Sequence, residues 1–336
     1  MSSTTRAPAP PAVQVPLWLV SAVLWSCVLA LVLVHAAHLG NSSAVGTIGV
    51  VFTSIVVEAL PFILVGAVVS AAIASFVPDS AFARLAGLPR ILQVPGAALA
   101  GIAFPVCECG SVPVGKRLLA RGIEPAAGVA FMLAAPILNP IVLISTWVAY
   151  QPRGQALEMT AARSGLGLLL AVTVGLAAAR FLPGDLVRSD VREHADHDHS
   201  HVGGSRGGDF AGHVAGDFVF MGRFLVLGAA VSAVIQTVLP ESLLSGIGGA
   251  EVVAILTMIL LAFALSLCSE ADAFVAVSFT AFPLSAQLAF LTMGPAFDAK
   301  LAVLYGATFR RGFIPVLLAA GLPVAVGGAL LFGALT

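Results

Sequence analysis

Phe104-Pro105-Val106-Cys107-Glu108-Cys109-Gly110-Ser111-Val112-Pro113 interrupts an almost continuously apolar sequence, and Leu267-Cys268-Ser269-Glu270-Ala271-Asp272-Ala273-Phe274 interrupts it again. Superposing Cys107 on Cys268, a shift of 161 residues, sets Cys109 opposite Glu270 and Ser111 opposite Asp272. The two polar islands read as copies of one another. Acids and thiols are costly inside lipid and mark a pathway or a site there. The islands therefore point to a transporter whose site lies between two halves.

Around them the 336 residues are 59% hydrophobic and 10% charged, with a mean hydropathy of +1.03, far from the composition of a soluble domain. Residues 17–38, 49–77, 91–106, 123–149, 162–182, 214–239, 251–268, 286–307 and 312–335 are each apolar enough to be considered as spans, against roughly 20 residues needed to cross a bilayer. Only helices and closed barrels satisfy their backbone in lipid, and these long, unalternating runs favour helices. The expectation is an all-α integral membrane protein of about 8–10 transmembrane helices. The run Leu17–Val34 follows a single basic residue, Arg6, and exceeds the roughly 7–15 residues of a signal-peptide core. It reads as a retained first helix, with a cleaved signal as the alternative. Cys27 sits alone in it and reads as a small buried hydrophobe. Four cysteines in a cytoplasmic-membrane setting do not make a disulfide framework.

The duplication extends beyond the islands. Gly66–Pro78 aligns with Gly228–Pro240 at a shift of 162, identical at seven of thirteen positions, and Ala135–Asn139 pairs with Gly294–Asp298 at a shift of 159. Three matches in the same order mark an internal repeat, although small-residue bias in membrane helices could produce the first alone. Internal repeats with broken helices meeting at the midplane are a common transporter build. The break points expected are Pro105, Gly110, Pro113 and Pro136–Pro140 in the first half, and Ser269–Asp272 and Gly294–Pro295 in the second. Arg84, Arg90, Lys116, Arg117 and Arg121 crowd the first connections, whereas no Lys or Arg occurs between Arg223 and Lys300. Basic residues mark cytoplasmic loops, so the opposite bias favours inverted repeats with re-entrant segments; Arg153 and Arg310-Arg311, at corresponding ends, argue for parallel ones. The organisation read is a tail and first transmembrane helix over 1–45, one repeat over 46–182, a hydrophilic linker over 183–217 and a second repeat over 218–336.

The linker holds 10 of the 33 charged residues and five of the seven histidines, a solvated composition. Within it His194, His197, His199 and His201 alternate with carboxylates, a pattern able to hold a divalent transition metal; plain soluble linker is the alternative. Arg180, Arg188 and Arg192 set the linker on the cytoplasmic side.

The prolines and glycine around Cys107 and Cys109 argue for a broken or extended backbone. An extended run would place Cys107 and Cys109 on one side and Glu108 on the other. Two thiolates form a soft pair for zinc, copper(I) or a trivalent metalloid, with Cys268 adding a third sulfur from the other half. Buried cysteines can equally be inert. Glu270 and Asp272 have no Lys or Arg close in sequence and read as protonation sites or cation ligands. Glu58, three residues before Pro61, is a further proton-coupling candidate or else a span edge. Asn139 and Asp298 occupy matching positions where both could line a cavity, and Ser111 and Ser269 complete the polar lining. Lys116, Arg117 and Arg121 read as topology determinants, with guidance of an anionic substrate as the alternative. No Gly-x-x-x-x-Gly-Lys-Ser/Thr motif occurs, which argues against ATP hydrolysis by this chain.

At Cys107–Val114, at Phe131-Met132-Leu133-Ala134-Ala135-Pro136-Ile137-Leu138-Asn139-Pro140, at Leu267–Phe274 and at Phe290–Lys300, the chain resembles a family of predicted bacterial permeases. The likeness runs over about residues 45–315, in a superfamily that includes the organoarsenical efflux permeases. The resemblance implies a polytopic inner-membrane permease and, for the Cys-Glu-Cys-Gly subgroup, a partner membrane subunit encoded nearby. The first reading is a secondary permease exporting a thiophilic metal or metalloid, with Cys107, Cys109 and Cys268 on the cargo and Glu108, Glu270 and Asp272 coupling protons or holding cation. A second keeps the fold but carries a small anion or organic solute, leaving the cysteines structural. A third is an intramembrane thiol–disulfide oxidoreductase using Cys107 and Cys109. The permease readings require no cofactor, the only bound metal or metalloid being cargo. They leave room for a homo-oligomer and involve no nucleic acid.

Overall fold

The computed structural model describes residues 43–76, 87, 89–104, 106–182, 184, 186–187, 206–238 and 251–336. The first expected span, Cys27, and His194, His197, His199 and His201 lie outside the described residues. Within them the chain is an all-α membrane protein. In order, its helices are α1 (Ser43–Phe76), α2 (Arg90–Ala100), α3 (Glu108–Ala120), α4 (Pro125–Leu138), α5 (Pro140–Tyr150), α6 (Ala156–Phe181), α7 (Arg206–Val238), α8 (Glu251–Leu265), α9 (Asp272–Ser278), α10 (Leu284–Met293), α11 (Ala299–Thr308) and α12 (Phe313–Leu335). Helix α7 starts at Arg206, inside the segment expected to be linker, so the hydrophilic stretch gives way to helix before residue 217.

Five stretches among the described residues are long and apolar enough to cross a bilayer: Gly46–Ile73, Pro125–Arg153, Ala156–Phe181, Phe210–Thr237 and Phe313–Leu335. Shorter apolar helices cover Leu92–Ala103, Glu251–Leu265 and Leu284–Met293. Of the expected spans, 123–149 and 286–307 are broken inside, while the helices of 91–106 and 251–268 end early, at Ala100 and Leu265, and a second short helix follows each after the break. Each interruption falls at or beside a polar group. The order long, broken, broken, long runs through α1–α6 and recurs through α7–α12.

The long helices carry a narrow buried stripe on an otherwise apolar surface, the pattern of a helix facing protein on one side and lipid on the other. On α1, Ala59, Ile63, Ala67, Ser70 and Ala71 are buried, while Val57, Leu60, Leu64 and Val68 are exposed. Helix α7 lies along α1, and Phe52, Ile55 and Val56 pack on its Ala229 and Ala233. The centre belongs to α4 and α10, buried along almost their whole lengths. Two glycines bring the long helices close to the broken ones. A Cβ on Gly66 would stand 2.5 Å from the Gly110 Cα, and one on Gly228 would stand 2.7 Å from the Lys300 Cα.

Candidate functional site

Each interruption has a local cause. Between α2 and α3 a 3₁₀ turn over Gly101–Ala103 leads through extended Phe104 to Cys107, which caps α3 with a β-region backbone (φ −76°, ψ 177°). Between α4 and α5, Pro140 bars the α conformation at Asn139, which sits at φ −54°, ψ 128°. The Asn139 Oδ1 accepts the Ile141 N–H at 2.9 Å, an N-cap for α5. Between α8 and α9, Ser266 adopts a left-handed φ of 47°, sparsely populated for a residue with a side chain. Between α10 and α11, Asp298 caps α11, its Oδ1 accepting the Leu301 N–H at 2.7 Å. Carbonyls freed at the end of α8 find donors on α7: Ser232 reaches the Ala264 carbonyl at 3.1 Å and Gln236 the Leu265 carbonyl at 2.8 Å.

These four interruptions meet. The Ser266 hydroxyl accepts the Ala299 N–H at 3.0 Å, joining the third to the fourth, and Asn139 Nδ2 stands 3.5 Å from the Val106 carbonyl, joining the second to the first. The two halves are joined by Glu108, only 1% exposed. Its Oε1 pairs with the Lys300 ammonium at 2.8 Å, and its Oε2 accepts the Ser269 hydroxyl at 2.8 Å. Lys300, 3% exposed, also donates to the Leu267 carbonyl at 3.1 Å and lies 3.5 Å from Asp298 Oδ2. A second charged link stands beside the first. Arg163, fully buried on α6, clasps Asp272 of α9 with two parallel bonds of 2.9 and 2.7 Å. It also donates to the Thr146 hydroxyl at 2.7 Å and to the Ser269 carbonyl at 3.3 Å. Bidentate guanidinium–carboxylate pairing is strong and directional; both terminal nitrogens of Arg163 are thus engaged, while its Nε is buried without a hydrogen-bond partner.

The thiols sit among these charges. Cys107, Glu108 and Cys268 bring one sulfur, one oxygen and one sulfur within 4.8 Å of one another, all buried. Cys109 is buried too, adjacent to Cys107, but stands outside that three-donor group. The extended run expected at the first island is corrected: the helix begins at Glu108, and this winding turns the Glu108 carboxylate toward Cys107 instead of away from it. Glu270 has both oxygens buried without a hydrogen-bond partner, with Cys268 beside it. Glu58 stands half-buried on α1, within electrostatic range of Lys300 and Glu108. Ser111 turns away, its hydroxyl facing the carbonyls of Glu108 and Met132, each at 2.9 Å, and so fastens α3 to α4.

Glu270 and Asp272 have no Lys or Arg close in sequence, and the partners of Asp272 and Glu108 are distant ones. Arg163 and Lys300 supply the charges from far along the chain. Lys300 carries a legible signal as the first cation after a long stretch without Lys or Arg, two residues beyond Asp298. Arg163 carried less, because it fell at the expected edge of a span. The polar cleft of about 370 Å³ lined by Gln155, Glu158, Glu251, Ser285 and Thr336 involves none of these residues. At it the Ser285 hydroxyl donates to Glu251 at 2.5 Å.

A bundle that crosses lipid, breaks its helices in the interior and gathers charge and sulfur at the breaks is the build of a membrane permease. The chain belongs to the ArsP_1 family, described as predicted permease, whose model matches residues 45–333. It is 40% identical over 283 residues to the UPF0718 protein YcgR of Bacillus subtilis, covering 84% of this chain and 95% of that one. It is 34% identical over 266 residues to a putative two-component membrane permease complex subunit of Streptococcus mutans, covering 79% of this chain and 87% of that protein. No solved structure matches.

Proposed function

We propose that this chain is a secondary permease of the bacterial cytoplasmic membrane that exports a thiophilic metal or metalloid species, such as an arsenical, zinc or copper. The observation that carries the reading is the convergence of Cys107 from one half and Cys268 from the other with Glu108 inside 4.8 Å. Soft sulfur donors select soft cargo, and a site shared by two halves opens alternately when they rock. Two repeats, 46–182 and 218–336, are supported by the recurring helix order and by Gly66 and Gly228, aligned in the duplication, each allowing close approach to a broken helix. In this scheme Cys109 receives cargo from Cys107, Glu58 and Glu270 carry coupling protons, and Asp272 and Asp298 set the field around the path. The resemblance to a superfamily that includes the organoarsenical permeases supports that cargo class, and the Cys-Glu-Cys-Gly motif at Cys107–Gly110 supports a two-subunit assembly. One relative bears the name of a complex subunit, and we extend to this chain a partner membrane subunit. The linker histidines would capture metal before it enters.

The test is equilibrium binding of zinc, copper(I) and a trivalent methylarsenical to the purified protein, measured by elemental analysis. The wild type is compared with the Cys107→Ser, Cys109→Ser, Cys268→Ser triple variant and with a variant lacking the linker histidines. Stoichiometric binding lost only in the triple variant is the expected result. Binding that is unchanged by the triple substitution, or absent throughout, refutes the soft-cargo reading and leaves anions or organic solutes.

A further inference from the structure

The three donors at the crossing of the halves are not free to act together. Glu108 is engaged on both oxygens, by the Lys300 ammonium at 2.8 Å and by the Ser269 hydroxyl at 2.8 Å. The ammonium in turn faces Glu108, Asp298 Oδ2 at 3.5 Å and the Leu267 carbonyl at 3.1 Å. Two carboxylates and a carbonyl released by a helix break are the kind of oxygen set that holds a cation; here the cation is a side chain of the protein. Its backbone is pressed against α7 where Gly228 lacks a Cβ, which keeps the tether in place.

Resting on the soft-cargo reading and narrowing its cargo away from zinc, we infer that Lys300 is a specificity-determining residue whose ammonium occupies the cation position beside Cys107 and Cys268 and so excludes divalent metal ions from them. A zinc ion needs four donors as a rule; with Glu108 held by Lys300 the three-donor group keeps two sulfurs beside a positive charge, and Cys109 and Glu270, next to Cys107 and Cys268, stand outside it. A trivalent organoarsenical bearing two hydroxides needs only the sulfurs. Two As–O bonds break and two As–S bonds form, each thiol proton leaves with a hydroxide as water, and the charge of the site does not change.

The experiment uses full-length protein in detergent, with His194, His197, His199 and His201 replaced by Ala so that the linker takes up no zinc. Zinc chloride and phenylarsine oxide are the probes, read by elemental analysis after equilibrium dialysis, and gel filtration checks folding. Lys300→Leu is expected to bind zinc at least about tenfold more tightly than the unsubstituted lysine, equivalent to about 1.4 kcal/mol. The gain should vanish when Cys107→Ser and Cys268→Ser are added, and Lys300→Arg, which keeps the charge, should bind zinc no better than lysine. Zinc affinity unchanged in Lys300→Leu, a gain that survives loss of the sulfurs, or an equal gain in Lys300→Arg overturns the inference. Should Lys300→Leu fail to fold, Lys300→Gln, which keeps a donor for the Leu267 carbonyl, is judged by the same criteria. Failure of the soft-cargo reading shows elsewhere, as phenylarsine oxide that does not bind or binds without the sulfurs, and the zinc comparison then still decides the role of Lys300.

Discussion

Replacing Arg163 by Leu should be among the most destabilising single changes this protein can suffer. Arg163 is fully buried and Asp272 is 3% exposed, so the substitution leaves a carboxylate in the interior without its bidentate partner. Breaking a buried ion pair from one side costs about 3–5 kcal/mol, a large part of the roughly 5–15 kcal/mol that holds a folded domain together. The Thr146 hydroxyl and the Ser269 carbonyl lose a donor as well. At roughly 2–4 °C per kcal/mol the melting temperature should fall by about 10 °C. The assay is thermal unfolding in detergent, followed by a thiol-reactive dye that labels Cys107, Cys109 and Cys268 as they become exposed, in a Cys27→Ser background. Asp272→Leu alone should behave like Arg163→Leu, whereas the double variant removes both charges and should be more stable than either single one. A drop of less than about 3 °C for Arg163→Leu, or a double variant as unstable as the sum of the singles, would refute the reasoning.

Asp298→Ala removes the cap of α11 and should cost about 0.5–2 kcal/mol, while Asp298→Asn keeps an oxygen for the Leu301 N–H and should recover most of that; equal losses in thermal unfolding would show that the cap is not what matters. Gly66→Val should destabilise by about 1–3 kcal/mol through overpacking against Gly110, whereas Gly96→Ala, where a Cβ meets nothing within 4 Å, should leave the melting temperature unchanged. The pair Arg117–Asp217 at 2.7 Å, which also takes the Ser70 hydroxyl, is partly exposed. Arg117→Ala should therefore cost no more than about 1 kcal/mol, and the loss should shrink when the same melts are run at high salt.

The breaks were legible because prolines and polar residues coincided, and the polar residue was the better guide. Pro113 and Pro136 lie inside α3 and α4, which continue through them, whereas Asn139 and Asp298, with side chains able to cap, stand where helices restart. The gathering of Cys107, Glu108, Cys268 and Ser269 followed from aligning two islands. Their electrostatics did not follow, because charge pairing in a bundle is decided by which helix faces meet, and neither Arg163 nor Lys300 belongs to an island. The direction of the Glu108 side chain departs from the extended expectation for a local reason: the helix already begins at Glu108 and winds every side chain after Cys107.

The arrangement of charges also bears on how the protein is made. Arg163 meets its carboxylate 109 residues further along the chain, and Glu108 waits still longer for Ser269 and Lys300. A ribosome feeding the membrane from the N-terminus therefore delivers a bare guanidinium and a bare carboxylate before their counter-ions exist. Arg163 lies near the start of α6, close enough to the membrane surface for its long side chain to remain in the headgroups until α9 arrives. The early half is thus a stalled intermediate that the late half completes, and a chain truncated after α6 should be a substrate for membrane quality control.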